Sequence, residues 1–407
     1  MKQRRTVTRW PLSLIAIVAA LVAVAALFLL LVPPVSMTMW QLGLMVAEFS
    51  LLLAVVAAAG LAASVALART GARWTARFTG GLCLAALAAS LVPVVSAWRA
   101  AQHNGASLSL TGYFAGLSTD AEERPRTEVY AEVGGRRLRL DVWRPRGEEP
   151  SGSAGAGAQA GAPRPAVVMV HGGDGPDVPR SSTPRWDVWL AERGHVVFDI
   201  DYRAFPAGRW KEPPGDVKCA VGWVRRNAAR FGADPSRITL MGQSAGGYLS
   251  LLAAYSSGDG RIPPSCPADD TSVRAVVAFY APADWTHIYA QGPNLRTSPR
   301  FVADGREKLR DMIGGAPARR AADYRLASPI THVRPGVPPT LLVQGGRDPL
   351  QPPDDTERLA DRLAGARVPH RLVEISYADH FFDISWGGWA TQISRAALAD
   401  FLAEHGR

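Results

Sequence analysis

The chain has 407 residues, 47% of them hydrophobic, and a formal net charge of +9. The excess is local: the first hundred residues hold Lys2, Arg4, Arg5, Arg9, Arg69, Arg73, Arg77 and Arg99 against Glu48 alone. Those charges flank apolar runs, where they report membrane topology, so the basic balance does not signal a nucleic-acid partner.

From Pro11 to Val32 the sequence carries no charge. As a helix it is long enough to cross the roughly 30 Å hydrocarbon core, and Pro33-Pro34 end it. A second apolar run covers residues 49–68, and a third covers residues 78–98 with Pro93 as an expected kink and Trp98 as an interfacial aromatic. Residues 1–98 are therefore expected to form a membrane domain of three transmembrane helices. Glu48 precedes a run already long enough to span, so it is expected at the interface rather than inside the bilayer. The small residues of "AAAGLAAS" either let helices pack closely or reflect compositional bias. With a cytoplasmic N-terminus, all the basic residues except Arg99 in this region fall inside, which places everything after Trp98 outside the cytoplasm. Reading the first segment as a cleaved signal peptide leaves the C-terminal part on the same side.

Residues 99–126 read as a polar, irregular stalk, and residues 127–407 as a separate domain. It opens with alternating residues around Gly134-Gly135, the pattern of a β-hairpin. A Gly/Ala-rich insertion, 147–163, follows. Beyond it the apolar runs "AVVMV", "HVVFDIDY", "RITLMG", "VRAVVAFY", "PTLLVQG" and "HRLVEIS" are separated by helical patterns such as "DVKCAVGWVRRNAARF" and "DTERLADRLAGA". Continuous apolar strands alternating with helices predict an α/β fold, a mostly parallel eight-stranded sheet covered on both faces. Cys83 is expected as a buried thiol. Cys219 and Cys266 either pair, given an oxidising compartment, or stay as two thiols in a core that needs no staple.

The chemistry centres on Gly242-Gln243-Ser244-Ala245-Gly246, a G-x-S-x-G match where a strand gives way to a helical pattern. A serine hydroxyl there needs a base, and the base an orienting carboxylate; for this elbow in this kind of fold the chain order is Ser, acid, His. His380, after the strand "RLVEIS" and before the last helix, has the right place. His287 and His332 fall too early, His370 starts the strand, and His405 sits at the C-terminus. Asp348 follows the strand "TLLV" and is the expected acid; Asp284 is the runner-up, and Asp354 and Asp355 read as helix caps. The oxyanion hole is expected from the backbone N–H of Ala245 and from Gly172 and Gly173, with His171 structural.

These motifs, with "HGGDG", "GQSAGG", "GGRDPL" and "ADHFF" in order, resemble the α/β-hydrolases of the esterase/lipase type. The likeness covers the chain from about Thr127 onward and is nearest to the hormone-sensitive-lipase-like and acetylxylan/feruloyl-esterase-like groups. Asp174 stands where lipase-type relatives carry a third glycine. Gln243 stands where they more often carry Asp or Glu, and tilts the likeness to the feruloyl-esterase side. The resemblance implies a small helical cap over residues 281–331, with Trp285, Tyr289, Phe301 and Met312 lining an acyl pocket or forming the cap's own core.

The expected protein is thus a membrane-anchored serine hydrolase of carboxylic esters, working through Ser244, His380 and Asp348 and an acyl-enzyme, with no metal or organic cofactor. Its substrate is expected to be a small-molecule, lipid or polysaccharide ester. A peptidase of the oligopeptidase type shares the triad but normally carries a propeller where this chain has apolar helices. A catalytically silent, membrane-tethered binding protein on the same fold normally lacks a triad member.

Overall fold

The computed structural model describes residues 2–116, 124–145, 162–173, 178–292 and 299–406. Asp174 and most of the 147–163 insertion lie outside the described residues.

The N-terminal part holds four long helices: α1 (Lys2–Leu31), α2 (Met37–Glu48), α3 (Ser50–Arg69) and α4 (Arg73–His103). Three stretches are long and apolar enough to cross a membrane, Trp10–Leu31, Ser50–Arg69 and Arg73–His103. Small residues bring these three helices together: Ala19 and Ala20 meet Cys83, and Ala23 meets Ala57 and Ala86. Gly60, in "AAAGLAAS", has a packing role. A Cβ there would stand 2.5 Å from the Ala19 Cβ and 2.7 Å from the Cys83 sulfur, so only glycine lets the helices approach this closely. Cys83 is a buried free thiol.

Helix α2 was not foreseen from the sequence. Ser36 caps it, its hydroxyl accepting from the Met39 N–H at 3.2 Å. Trp40, Leu44, Ala47 and Glu48 recur at helical spacing on one buried face. Glu48 is its last residue, buried rather than solvated. In the segment 99–126, expected as an irregular stalk, residues up to His103 complete α4, and α5 (Leu110–Ala115) packs its Tyr113 ring on Trp389 at 4.6 Å.

The strands are β1 (Arg126–Val133), β2 (Arg136–Trp143), β3 (Arg164–Val170), β4 (Val196–Ile200), β5 (Ala233–Gln243), β6 (Ala275–Phe279), β7 (Thr340–Gly345) and β8 (His370–Ile375). They form one sheet in the order β1-β2-β4-β3-β5-β6-β7-β8. Pairs β1–β2 and β2–β4 are antiparallel and the rest parallel. Gly134 and Gly135, both at positive φ, make the two-residue hairpin turn that other residues adopt only with strain.

Period-two alternation splits the sheet's side chains between two cores. On β3, Ala166, Val168 and Val170 face one core with α7 (Glu212–Asn227), α8 (Ala245–Tyr255) and α12 (Pro353–Gly365). Val167 and Met169 face the other, with α6 (Pro184–Glu192) and α13 (Trp389–His405), and Ala97 and Ala101 of α4 join that core. Each fully buried Val or Met among them contributes about 1.5–3 kcal/mol. Cys219 on α7 and Cys266 form a disulfide, Cα to Cα 5.3 Å. Between β6 and β7 stand α9 (Trp285–Gln291), α10 (Pro299–Ile313) and α11 (Pro317–Ala327), beside the sheet's carboxyl-terminal edge. Trp285, Tyr289 and Met312 pack against the first core; of the Phe301 side chain nothing is described.

Candidate active site

Strand β5 ends at Gln243 and α8 begins at Ala245, leaving Ser244 alone on the turn at φ 52°, ψ −120°. A non-glycine residue at positive φ costs on the order of 1–3 kcal/mol, and the packing around it must hold it there. The Ser244 N–H donates to the Phe279 carbonyl at 2.9 Å, tying the turn to β6. Glycine at 246 is obligatory: a Cβ there would fall onto the carbonyl oxygens of Val170 and His171. The helix can therefore start directly against β3, and Ser244 is lifted to the carboxyl end of the sheet.

His380 lies on the loop after β8 and Asp348 on the loop after β7. The His380 Nε2 stands 2.9 Å from the Ser244 hydroxyl, and His380 Nδ1 stands 2.6 Å from Asp348 Oδ2. Asp348 Oδ1 accepts the N–H groups of Leu350 (2.9 Å) and Gln351 (2.8 Å), and Oδ2, which faces the imidazole, also accepts from Gln344 Nε2 at 3.3 Å; together these bonds fix the carboxylate. With Asp348 accepting at Nδ1, the ring nitrogen facing Ser244 is the one free to take a proton.

Gly172 lies against the elbow, a Cβ there standing 3.0 Å from the Gln243 carbonyl and 3.5 Å from the Ser244 Cβ. Gly173 adopts φ 91°. Tyr202 holds this loop, its hydroxyl donating to the carbonyls of His171 (2.9 Å) and Gly173 (3.2 Å). The His171 ring stacks on Tyr202 at 4.3 Å and turns its Nδ1 to the Gly172 carbonyl at 2.8 Å; burial pushes its pKa down. Ala245 opens α8, so its N–H is among the donors that a helix N-terminus leaves without an intrahelical partner.

The other candidates stand elsewhere. Asp284 caps α9, accepting the N–H groups of Thr286 and His287, and meets Arg358 at 3.2 Å. His287 faces Asp354 at 2.9 Å, and His332 turns to the Leu326 carbonyl. Asp355 is not a helix cap: it is buried and accepts from the Ala283 N–H at 2.7 Å and the Gln351 amide at 2.6 Å. It brackets the loop after β6 to α12, and burial pushes its carboxyl up to about 7. Among the described residues no group of His, Cys, Asp and Glu has the make-up of a metal site.

Two carboxyls missed in the sequence frame the histidine loop. Asp383 is buried and accepts from Trp186 Nε1 (2.9 Å), Gln243 Nε2 (2.8 Å) and the Tyr280 hydroxyl (2.6 Å). Burial raises its pKa. Asp379 accepts at Oδ1 from the His380 N–H and from Trp40 Nε1 on α2, each at 2.8 Å, and burial raises it to about 7. "ADHFFD" holds both aspartates, but nothing in that string names partners so far away along the chain.

A mostly parallel sheet, helices on both faces and a strained serine elbow at the carboxyl ends of the strands define the class, an α/β-hydrolase. The chain belongs to the BD-FAE family, whose model matches residues 156–363. It is 35% identical over 220 residues to Esterase LipC of Mycobacterium tuberculosis, a match covering 52% of this chain and 51% of LipC. The Probable carboxylic ester hydrolase LipM of the same organism is 32% identical, over 53% of this chain and 48% of that one. The chain spans about half the length of these curated relatives. Among solved structures, propionate-bound esterase Est2 of Thermogutta terrifontis aligns with TM-score 0.51 and 26% identity, over 69% of this chain and 94% of that one. The apo form of Thermogutta terrifontis esterase 2 aligns with TM-score 0.53 at 24% identity, over 70% and 96%, a likeness of fold.

Proposed function

We propose that this protein is a membrane-anchored serine hydrolase of carboxylic esters. The observation that carries the reading is the row of hydrogen bonds from Ser244 through His380 to Asp348, beginning on the strained elbow. Membership of the BD-FAE family and likeness to two mycobacterial ester hydrolases support the ester as the bond cleaved.

In the proposed reaction the Ser244 Oγ attacks the acyl carbon as its proton passes to His380 Nε2. Asp348 stabilises the imidazolium that results. The N–H groups of Ala245 and the Gly172–Gly173 segment hold the oxyanion. The tetrahedral adduct collapses, His380 returns the proton to the departing alcohol, and an acyl-Ser244 remains. Water then gives a proton to His380 and attacks the acyl carbon. Collapse returns Ser244 its proton and releases the carboxylic acid.

We assign residues 1–98 to a membrane domain of three spans and residues 127–407 to the catalytic domain, on the extracytoplasmic side. Three observations support this topology. The ends of α3 and α4 that flank their turn carry Arg69, Arg73 and Arg77, as the cytoplasmic ends of spans do. Helix α2, between the first two spans, touches the hydrolase, so both lie on one side. The Cys219–Cys266 disulfide suits an oxidising compartment.

The test is labelling with a fluorophosphonate probe, parent against Ser244→Ala. Labelling of the parent alone is expected. Equal labelling of both, or of neither, overturns the reading. A periplasm-active phosphatase fused at Arg407 tests topology; it is expected to be active, and an active cytoplasmic reporter in its place contradicts the assignment.

A further inference from the structure

The contacts between the apolar helices and the hydrolase fix which end of the sheet meets the membrane. Two contacts tie the membrane-side segments to loops at the carboxyl-terminal end of the sheet, and a third ties them to α5, which packs on the start of α13. Arg347 Nη2, on the loop after β7, donates to the Leu30 carbonyl at the end of α1 (3.3 Å). Trp40 of α2 donates to Asp379, beside His380, and its ring lies 6.2 Å from that of Phe381. Tyr113 donates to the Glu48 carbonyl at 2.7 Å. A fourth contact marks the opposite end. Arg371, at the start of β8, donates to the Asn104 carbonyl just past α4 (2.9 Å) and faces Asp400 late on α13.

These contacts have a direction. Helices α3 and α4 run antiparallel from the turn at residues 70–72. Counting equal lengths from that turn, α4 continues roughly nine residues past the level of Glu48, about 14 Å at 1.5 Å per residue. Strand β8 covers a similar distance, about 17–20 Å at 3.3 Å per residue. Asn104 is therefore the far point from the bilayer and Leu30, Trp40 and Glu48 the near ones. The strands run toward the membrane, and their carboxyl ends carry Ser244, Asp348 and His380.

The side chains at this end agree. Val35, Met37 and Leu42 beside or on α2, Leu110 and Phe114 on α5, and Ile384 four residues after His380 are all large, apolar and exposed. They come from separate elements and share the end where the helices emerge. An apolar rim continuous with membrane-crossing helices suits a lipid interface.

We propose that the opening of the active site faces the bilayer, and that the ester hydrolysed belongs to an amphiphile held in the adjoining leaflet. This rests on the reading above of three spans and a Ser244 nucleophile. Burial of the rim in the interface lets a lipid acyl ester reach Ser244 without crossing water.

The full chain, reconstituted in phosphatidylcholine–phosphatidylglycerol vesicles, gives the test. A nitrobenzoxadiazole dye is attached at I384C, and separately at D269C ahead of β6 at the opposite end. The I384C dye is expected to be quenched at least fivefold more by lipids with a doxyl group near the headgroup than the D269C dye. Equal quenching by aqueous iodide at both sites, with the chain still vesicle-bound, overturns the orientation alone. Release of the chain by alkaline carbonate overturns the spans and the orientation together. A pyrene-labelled diacylglycerol in the same vesicles is then compared with p-nitrophenyl butyrate in water. Doubling the host phospholipid at constant total ester is expected to halve diacylglycerol turnover and leave the aryl ester rate unmoved. The double variant L42E/I384E is expected to lower the diacylglycerol-to-aryl-ester rate ratio at least tenfold. Aryl ester turnover without diacylglycerol turnover overturns the substrate class and spares the hydrolase reading. Absence of Ser244-dependent turnover of either ester overturns both.

Discussion

The Gln243 side-chain amide donates to the Asp383 carboxylate at 2.8 Å, tying the residue before Ser244 to the loop just after His380. Nucleophile and base arrive on segments far apart in sequence, and this bond sets one against the other from behind. Gln243→Leu removes one of three donors to a buried carboxyl and leaves the Thr183 hydroxyl without its 3.2 Å acceptor. Urea melts are expected to show a loss of about 1–3 kcal/mol. Steady-state kinetics on an aryl ester are expected to show kcat falling more than KM changes, because the displaced group is the base and not the acyl site.

Asp379 links α2 to the histidine loop and carries a pH signature. Its folded pKa, about 7, lies above the unfolded value near 3.9. Between about pH 4 and 7 the folded state binds more protons than the unfolded one, so this group's contribution to stability falls as pH rises through that window and levels off above it. Asn in its place keeps an acceptor for Trp40 Nε1 and the His380 N–H and cannot ionise. The melting temperature of Asp379→Asn relative to the parent is expected to climb from pH 4 to 7 and then stay flat. A constant difference across the range contradicts the assignment.

The Cys219–Cys266 disulfide closes a separation of 47 residues across α7 and α8. Replacing both cysteines by serine is expected to cost about 2–4 kcal/mol, read as a lower denaturation midpoint. Dithiothreitol is expected to shift the parent toward that value and leave the double variant unmoved.

Gly246 and Gly260 make a matched pair. A Cβ at Gly246 meets backbone carbonyls of Val170 and His171, and one at Gly260 meets nothing within 4 Å. Gly246→Ala is expected to abolish fluorophosphonate labelling, whereas Gly260→Ala stays within about 0.5 kcal/mol of the parent.

The parallel strands were legible because each is a short apolar run bounded by helical patterns, and sequence order along the chain singled out Asp348 and His380 as candidates beside the G-x-S-x-G serine. The structure brings those three side chains within hydrogen-bond distance. Helix α2 was hidden because it lies between two apolar runs and carries no charge before its last residue, Glu48, to set it apart from them. Asp355 read as a cap because it opens a helix, but its partners are Ala283 and Asp284, contributed by a loop more than seventy residues earlier. The Asp383 node was invisible for the same reason: Trp186, Gln243 and Tyr280 converge on it only once the sheet is assembled. Cys219 and Cys266 left pairing open, since spacing does not report Cα distance.

The central claim is that Ser244 is the group that takes up the acyl chain. Its most direct measurement is kcat/KM for p-nitrophenyl butyrate, full-length parent against Ser244→Ala, in the same detergent. The expected result is a fall of at least about a thousandfold, the scale on which a lost nucleophile registers. Hydrolysis by Ser244→Ala within tenfold of the parent would contradict the account.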